Sequence, residues 1–121
     1  MQSYKDLEVW KRAMELACQV YRAMEYMPKT ELYGLVSQIQ RAAASVPANI
    51  AEGWGRGTRR EYIQFLHVAR GSLMELETHL LLAQQLEYLP QSYLTPLLND
   101  IEQVGRMLNA LLRSLKQGIR G

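Results

Sequence analysis

Cysteine occurs once in the 121 residues, at Cys18, so no internal disulfide and no cysteine-based zinc cluster can be built from this chain. Histidine occurs only twice, at His67 and His79. A carboxylate-bridged metal pair in a helical bundle needs Glu-x-x-His twice plus two further glutamates. Here Glu75 and His79 stand four apart with no second pair, so no metal is expected. Long apolar runs are missing too. The longest, His79 to Leu86, is interrupted by Gln84 and Gln85 and falls well short of the roughly 18 residues a spanning helix needs. The start carries Lys5, Asp6 and Glu8 rather than a basic region followed by an apolar one, so no signal peptide is expected. The default expectation is a soluble protein in a reducing, cytoplasmic setting, with no membrane partner. No alternating strand pattern is present. Gly53-x-Gly55-x-Gly57 therefore follows no strand and is not a dinucleotide loop. No catalytic residue and no cofactor are expected, and Cys18, with no basic helix start beside it, reads as an inert packing residue.

What the chain does have is helical rhythm. Hydrophobic residues make up 48% of it, enough for a single domain with a core. Leu7, Trp10, Met14, Ala17, Tyr21 and Met24 recur with 3,4 spacing and predict one apolar seam along a first helix. Ser3 or Asp6 can cap it, and Pro28 ends it. Thr30 is a fair N-cap for a second helix from Glu31 to about Trp54, which Pro47 should kink or divide. Thr58 with Glu61 three residues on forms a capping box for a third helix, whose seam is Tyr62, Leu66, Ala69, Leu73, Leu76, Leu80 and Ala83. After Pro90 a fourth helix repeats the rhythm at Leu94, Leu97, Ile101, Val104, Leu108, Leu111 and Leu115. Four helices with short connections predict an all-α, antiparallel up-down-up-down bundle over residues 1–121.

The second helix is the unusual one, because between Gly34 and Gly53 its only charges are Arg41 and Glu52. At about 100° per residue it divides into three faces. Leu32, Leu35, Ile39, Ala43, Val46 and Ile50 form the core face. Gln38, Arg41, Ser45, Asn49 and Glu52 form a polar stripe. Ser37, Ala44, Ala48, Ala51 and Gly55 form a face of small residues, which lets another backbone come close. One reading is a central helix whose stripe is satisfied by its neighbours. The preferred reading is that Ser37, Ala44, Ala48 and Ala51 meet another subunit.

Charge is distributed unevenly. In up-down topology Lys5, Lys11, Arg12, Arg56, Arg59, Arg60, Arg113, Lys116 and Arg120 share one pole with only Asp6, Glu8, Glu52 and Glu61. That is a local net of +5 on a chain whose total is +2. Gly55 and Gly57 around Arg56 suit an exposed arginine turn that binds phosphates. The alternative is an ordinary solvated helix end, with basic residues complementing the last helix's dipole.

The stretch Gln38–Gly53, QIQRAAASVPANIAEG, resembles the signature of the 23S rRNA intervening-sequence protein family, also called four-helix bundle proteins. Asp6-Leu7-Glu8-Val9-Trp10 and the run from Ala69 to Glu77 match as well, while Tyr4 stands where the family often has phenylalanine. The resemblance implies a bundle that assembles into a ring, usually a homopentamer, with no established activity. A more distant relative, the accessory variability determinant of diversity-generating retroelements, is a basic pentameric ring that binds a reverse transcriptase and its template RNA. The shared motifs also suggest that Arg41 is buried and paired with Glu75, Glu52 or the Asn49 side chain. The expectation is a non-catalytic, self-associating protein that binds RNA or a ribonucleoprotein at its basic pole. The alternative is a structural or protein-docking ring without nucleic-acid affinity, including a reverse-transcriptase accessory.

Overall fold

Four helices carry the chain in a computed structural model that describes residues 2–120, the last two by backbone alone. They are α1 (Glu8–Ala23), α2 (Leu35–Gly55), α3 (Arg59–Gln85) and α4 (Gln91–Arg120), and among the described residues there is no strand. Cross-helix contacts give the topology. Ser45 meets Ser72, Arg70 meets Asn109, and Tyr26 stacks on Tyr93 at 4.3 Å. Each pair joins residues at matching heights of antiparallel neighbours, so the expected four-helix bundle is present.

α1 is preceded by a 3-10 turn, Tyr4–Asp6, where Ser3 accepts the Lys5 N–H and Asp6 closes a capping box. Its core face differs from the expected seam. Val9, Ala13, Leu16 and Val20 are buried with Ala17 and Met24, whereas Trp10 is half-buried and Met14 and Tyr21 are exposed. The apolar residues of α1 fall in two adjoining stripes. The stripe of more compact side chains faces the core, and the bulkier one is left along the edge of α2. Cys18 is exposed on that edge rather than packed inside.

α2 begins later than its sequence suggests. Thr30 lies within a 3-10 turn, Lys29–Glu31, and the chain passes through Gly34 (φ −108°, ψ −107°) before the helix starts. The Glu31 carboxylate, not Thr30, takes up an early helix donor by accepting the Leu35 N–H at 3.1 Å. Leu32 therefore sits outside the helix, exposed. Pro47 does not divide α2, which runs unbroken to Gly55 with the ring buried. The other five expected core residues of α2 are buried.

The seams of α3 and α4 follow expectation closely. Leu66, Ala69, Leu73, Leu76, Leu80 and Ala83 are buried from α3, and Leu94, Leu97, Ile101, Val104 and Leu108 from α4. Near the end of α4 the buried position is Leu112, with Leu111 and Leu115 only partly covered. Each fully buried leucine contributes about 1.5–3 kcal/mol relative to exposure.

α2 packs tightly on α3 at Gly53. A Cβ there would lie 2.7 Å from the Phe65 Cβ and 3.2 Å from the Tyr62 ring and carbonyl. Only hydrogen fits without moving backbone. Gly53→Ala is therefore expected to destabilise the fold by about 1–3 kcal/mol, an overpacking penalty that exceeds alanine's helix-propensity gain. Urea melts check this, and a variant as stable as wild type would show that the helices separate easily.

Candidate functional site

The short turn after Gly53 builds the basic end of the bundle. Gly57 adopts φ +91°, a conformation that side chains rarely take. Thr58 then caps α3, accepting the Glu61 N–H at 3.2 Å while its hydroxyl donates to the Glu61 carboxylate at 3.1 Å. That carboxylate also accepts from Arg56 Nε at 3.1 Å, and the Arg56 guanidinium lies 5.1 Å from the Phe65 ring centroid. Arg56 is thus held against its own helix pair rather than left as a free loop arginine.

The other expected cations divide into two groups. Arg59, at the start of α3, lies directly against Gly118 near the end of α4. With Arg60, Arg113 and Lys116 it is exposed, and none of these four makes an ion pair among the described residues. Lys11 pairs with Glu8 at 3.4 Å, and Arg12 reaches Glu15 and the Gln103 side chain on α4. Lys5 stands 6.0 Å from the Tyr4 ring centroid. The Arg120 side chain lies outside the described residues. The available positive charge therefore gathers where α3 begins and α4 ends, while the cations of the chain start are largely occupied.

A residue outside the expected set registers that charge. His67 has its pKa pushed below the ordinary histidine value, first by burial and then by the nearby Lys116 and Arg70. Arg70 donates to the Asn109 side chain at 3.0 Å, and Arg106 pairs with Glu102 at 2.5 Å. Both were passed over in the sequence because they lie mid-helix rather than at a pole. Their place on the α3–α4 seam shows only when the helices are set side by side.

The polar stripe of α2 faces α3. Asn49 donates to the Ser45 carbonyl and hydroxyl, both at 2.8 Å, and Ser45 and Ser72 hydroxyls bond at 2.9 Å. Arg41 departs from expectation. It is exposed and forms no ion pair among the described residues, although it shares an open hollow with Gln38 and Glu75. The α2–α3 seam is shallow there, so water reaches both charges and nothing forces them together. Glu52 is exposed as well.

The small-residue face lines a second feature. Ala44, Pro47, Ala48 and Ala51 form one wall of an apolar groove of about 640 Å³, and Trp10, Met14 and Tyr21 of α1 form the other. Ser37 lies beyond it. Among the described residues no three His, Cys, Asp or Glu side chains gather, and no helix is long and apolar enough to cross a membrane.

Comparison with known proteins fits this geometry. The family described as 23S rRNA-intervening sequence protein matches residues 5–110. The chain belongs to that family. A solved structure with the same fold is a protein of unknown function from the S23 ribosomal protein family of Bacteroides thetaiotaomicron. It is 23% identical, covers 87% of this chain and 95% of its own, and superimposes with a TM-score of 0.80. No curated protein matches.

The field at the α3–α4 end has a measurable consequence. Replacing Lys116 removes one of the two cations that disfavour a charged His67 imidazole. In an NMR titration His67 should lose its proton below the ordinary value of about 6.5, and Lys116→Gln should raise its pKa. Burial persists in the variant, so the pKa should stay below that ordinary value. A wild-type value at or above it would remove the evidence for a concentrated positive field.

Proposed function

We propose that this family member is a non-catalytic, self-associating protein that works in the cytoplasm and meets RNA, free or within a ribonucleoprotein, at its basic pole. The observation that carries the reading is the meeting of α3 and α4. It brings Arg59 against the end of α4, where Arg113 and Lys116 are exposed, and with Arg60 these four make no ion pair among the described residues. Exposed cations of this kind recognise phosphates through charge, a binding mode that weakens steeply with salt. The family's named connection with 23S rRNA supports RNA over other polyanions.

Self-association draws support from the groove between α1 and α2. Trp10, Met14 and Tyr21 leave substantial apolar surface wet beside a wall of alanines, and a second copy of the chain would cover it. A homopentameric ring would repeat the basic pole about a central axis and strengthen its field. A second reading is a protein-docking ring, including a reverse-transcriptase accessory. The exposed tyrosines at the far end, Tyr21, Tyr26, Tyr33 and Tyr93, favour it.

Size-exclusion light scattering with and without structured RNA tests both halves. Wild type should run as a multimer, co-elute with RNA at about 50 mM salt and release it by about 200 mM. Ala48→Glu should run as a monomer with unchanged circular dichroism, because a carboxylate at the groove wall cannot be buried unpaired. Monomeric wild type contradicts self-association, and failure to carry RNA at the lower salt removes the nucleic-acid reading.

A further inference from the structure

The basic surface does not end at the pole. No acidic residue occurs between Glu61 and Glu75 in α3, and none follows Glu102 in α4. The fold lays these two acid-free stretches against one another. Arg59 meets Gly118, Arg70 meets Asn109, and Leu73 approaches Gly105, so the register is continuous along the seam. Arg59, Arg70, Arg106, Arg113 and Lys116 then mark one line, with His67 among them, and it ends at a shallow hollow of about 340 Å³ where Glu77 and Glu102 join Arg70 and Arg106. Only Arg106 has an acidic partner there, Glu102. From Arg59 to Arg70 the line is about 16 Å long, at about 1.5 Å per residue.

The aromatic residues are placed in the opposite way. Tyr21, Tyr26, Tyr33 and Tyr93, the exposed aromatics, belong to the end of α1, the approach to α2 and the start of α4. At the basic end Tyr4, Trp10, Trp54 and Tyr62 are half-buried, packed on the core, and Tyr4 meets Trp10 and Trp54 edge-on. Single strands are held largely by stacking bases on open aromatic faces. A duplex keeps its bases stacked internally and offers phosphates and 2′-hydroxyls instead. Trp54 and Tyr62 edge a hollow beside Arg59, but from His67 to Arg70 and from Arg106 to Lys116 the line carries no Phe, Tyr or Trp, and cations without such rings suit the duplex.

We infer that the α3–α4 seam is a track for the phosphate backbone of double-stranded RNA, running from the pole to Arg70 and Arg106. This rests on the RNA reading above and names the class of RNA. Arg70, braced by Asn109, holds its guanidinium at the far end of the track, and Arg113 and Lys116 supply charge toward the pole. Affinity arises from backbone contacts and is indifferent to base sequence.

Fluorescence anisotropy tests the inference, with a labelled RNA duplex of about 20 base pairs compared with oligouridine of equal length. The duplex should bind at least about tenfold more tightly. Arg70→Gln/Arg106→Gln should weaken duplex binding by about tenfold and reduce the salt slope by about two. Arg113→Gln/Lys116→Gln, which leaves the Arg70–Asn109 bond untouched, should do the same, with circular dichroism confirming the fold of both. Equal affinity for oligouridine overturns the track, as does displacement of the duplex by polyglutamate at equal charge concentration. If Arg59→Gln/Arg60→Gln weakens binding while Arg70→Gln/Arg106→Gln does not, RNA binds the pole alone. If neither RNA binds at low salt, the track and the RNA reading fall together.

Discussion

The close approach of α2 and α3 at Gly53 is the constraint from which the functional end of the molecule follows. A hydrogen in place of a side chain lets the helices touch where Phe65 and Tyr62 cross. That contact shortens the connection to a turn through Gly57 and fixes where α3 begins. Thr58, Glu61 and Arg56 then knot the turn, and Arg59 and Arg60 emerge from the first turn of α3 facing the end of α4. Farther along, the Asn49–Ser45–Ser72 hydrogen bonds tie the same two helices by a polar contact that their alanines leave room for.

Much of this was legible in the sequence, and the failures have physical causes. The seams of α3 and α4 were readable because their apolar residues recur without a gap at helical spacing, even though α3 also exposes Val68, Met74, Leu81 and Leu82 outside its seam. α1 was not, because it carries two stripes, and periodicity alone does not say which one meets the core. Met14 and Tyr21 were assigned inward and lie outward. Of the two outcomes expected at Pro47, a kink or a division, the division does not occur, since α2 runs on to Gly55. The family motifs shared by Arg41 and Glu75 point to a buried pair, yet a long side chain on a shallow seam reaches water. The capping of α3 by Thr58 was read correctly because a cap is a local interaction, decided within four residues. The basic line along α3 and α4 could not be read in full. Its members sit far apart in the chain and become neighbours only through antiparallel pairing.

The two ends of the bundle are chemically distinct as a result. Arg59, Arg60, Arg113 and Lys116, without an ion pair among the described residues, lie toward one end, and exposed tyrosines with Glu25, Glu31, Glu87 and Asp100, alongside Arg22 and Lys29, occupy the other. The apolar groove runs along α1 and α2, away from the α3–α4 seam. A partner copy seated in the groove would therefore leave the cationic seam open. The proposed self-association and RNA binding would thus use separate surfaces of one small chain.

Hydrogen–deuterium exchange on the whole protein, with and without an RNA duplex, tests the location of the interface most directly. Contact should slow exchange in the first turn of α3 and along the C-terminal half of α4, where helix ends open locally before the core does. It should leave the end of α1, the approach to α2 and the start of α4 unchanged. Protection confined to the tyrosine-bearing end, or spread evenly over all four helices, would contradict an RNA interface at the basic end of this bundle.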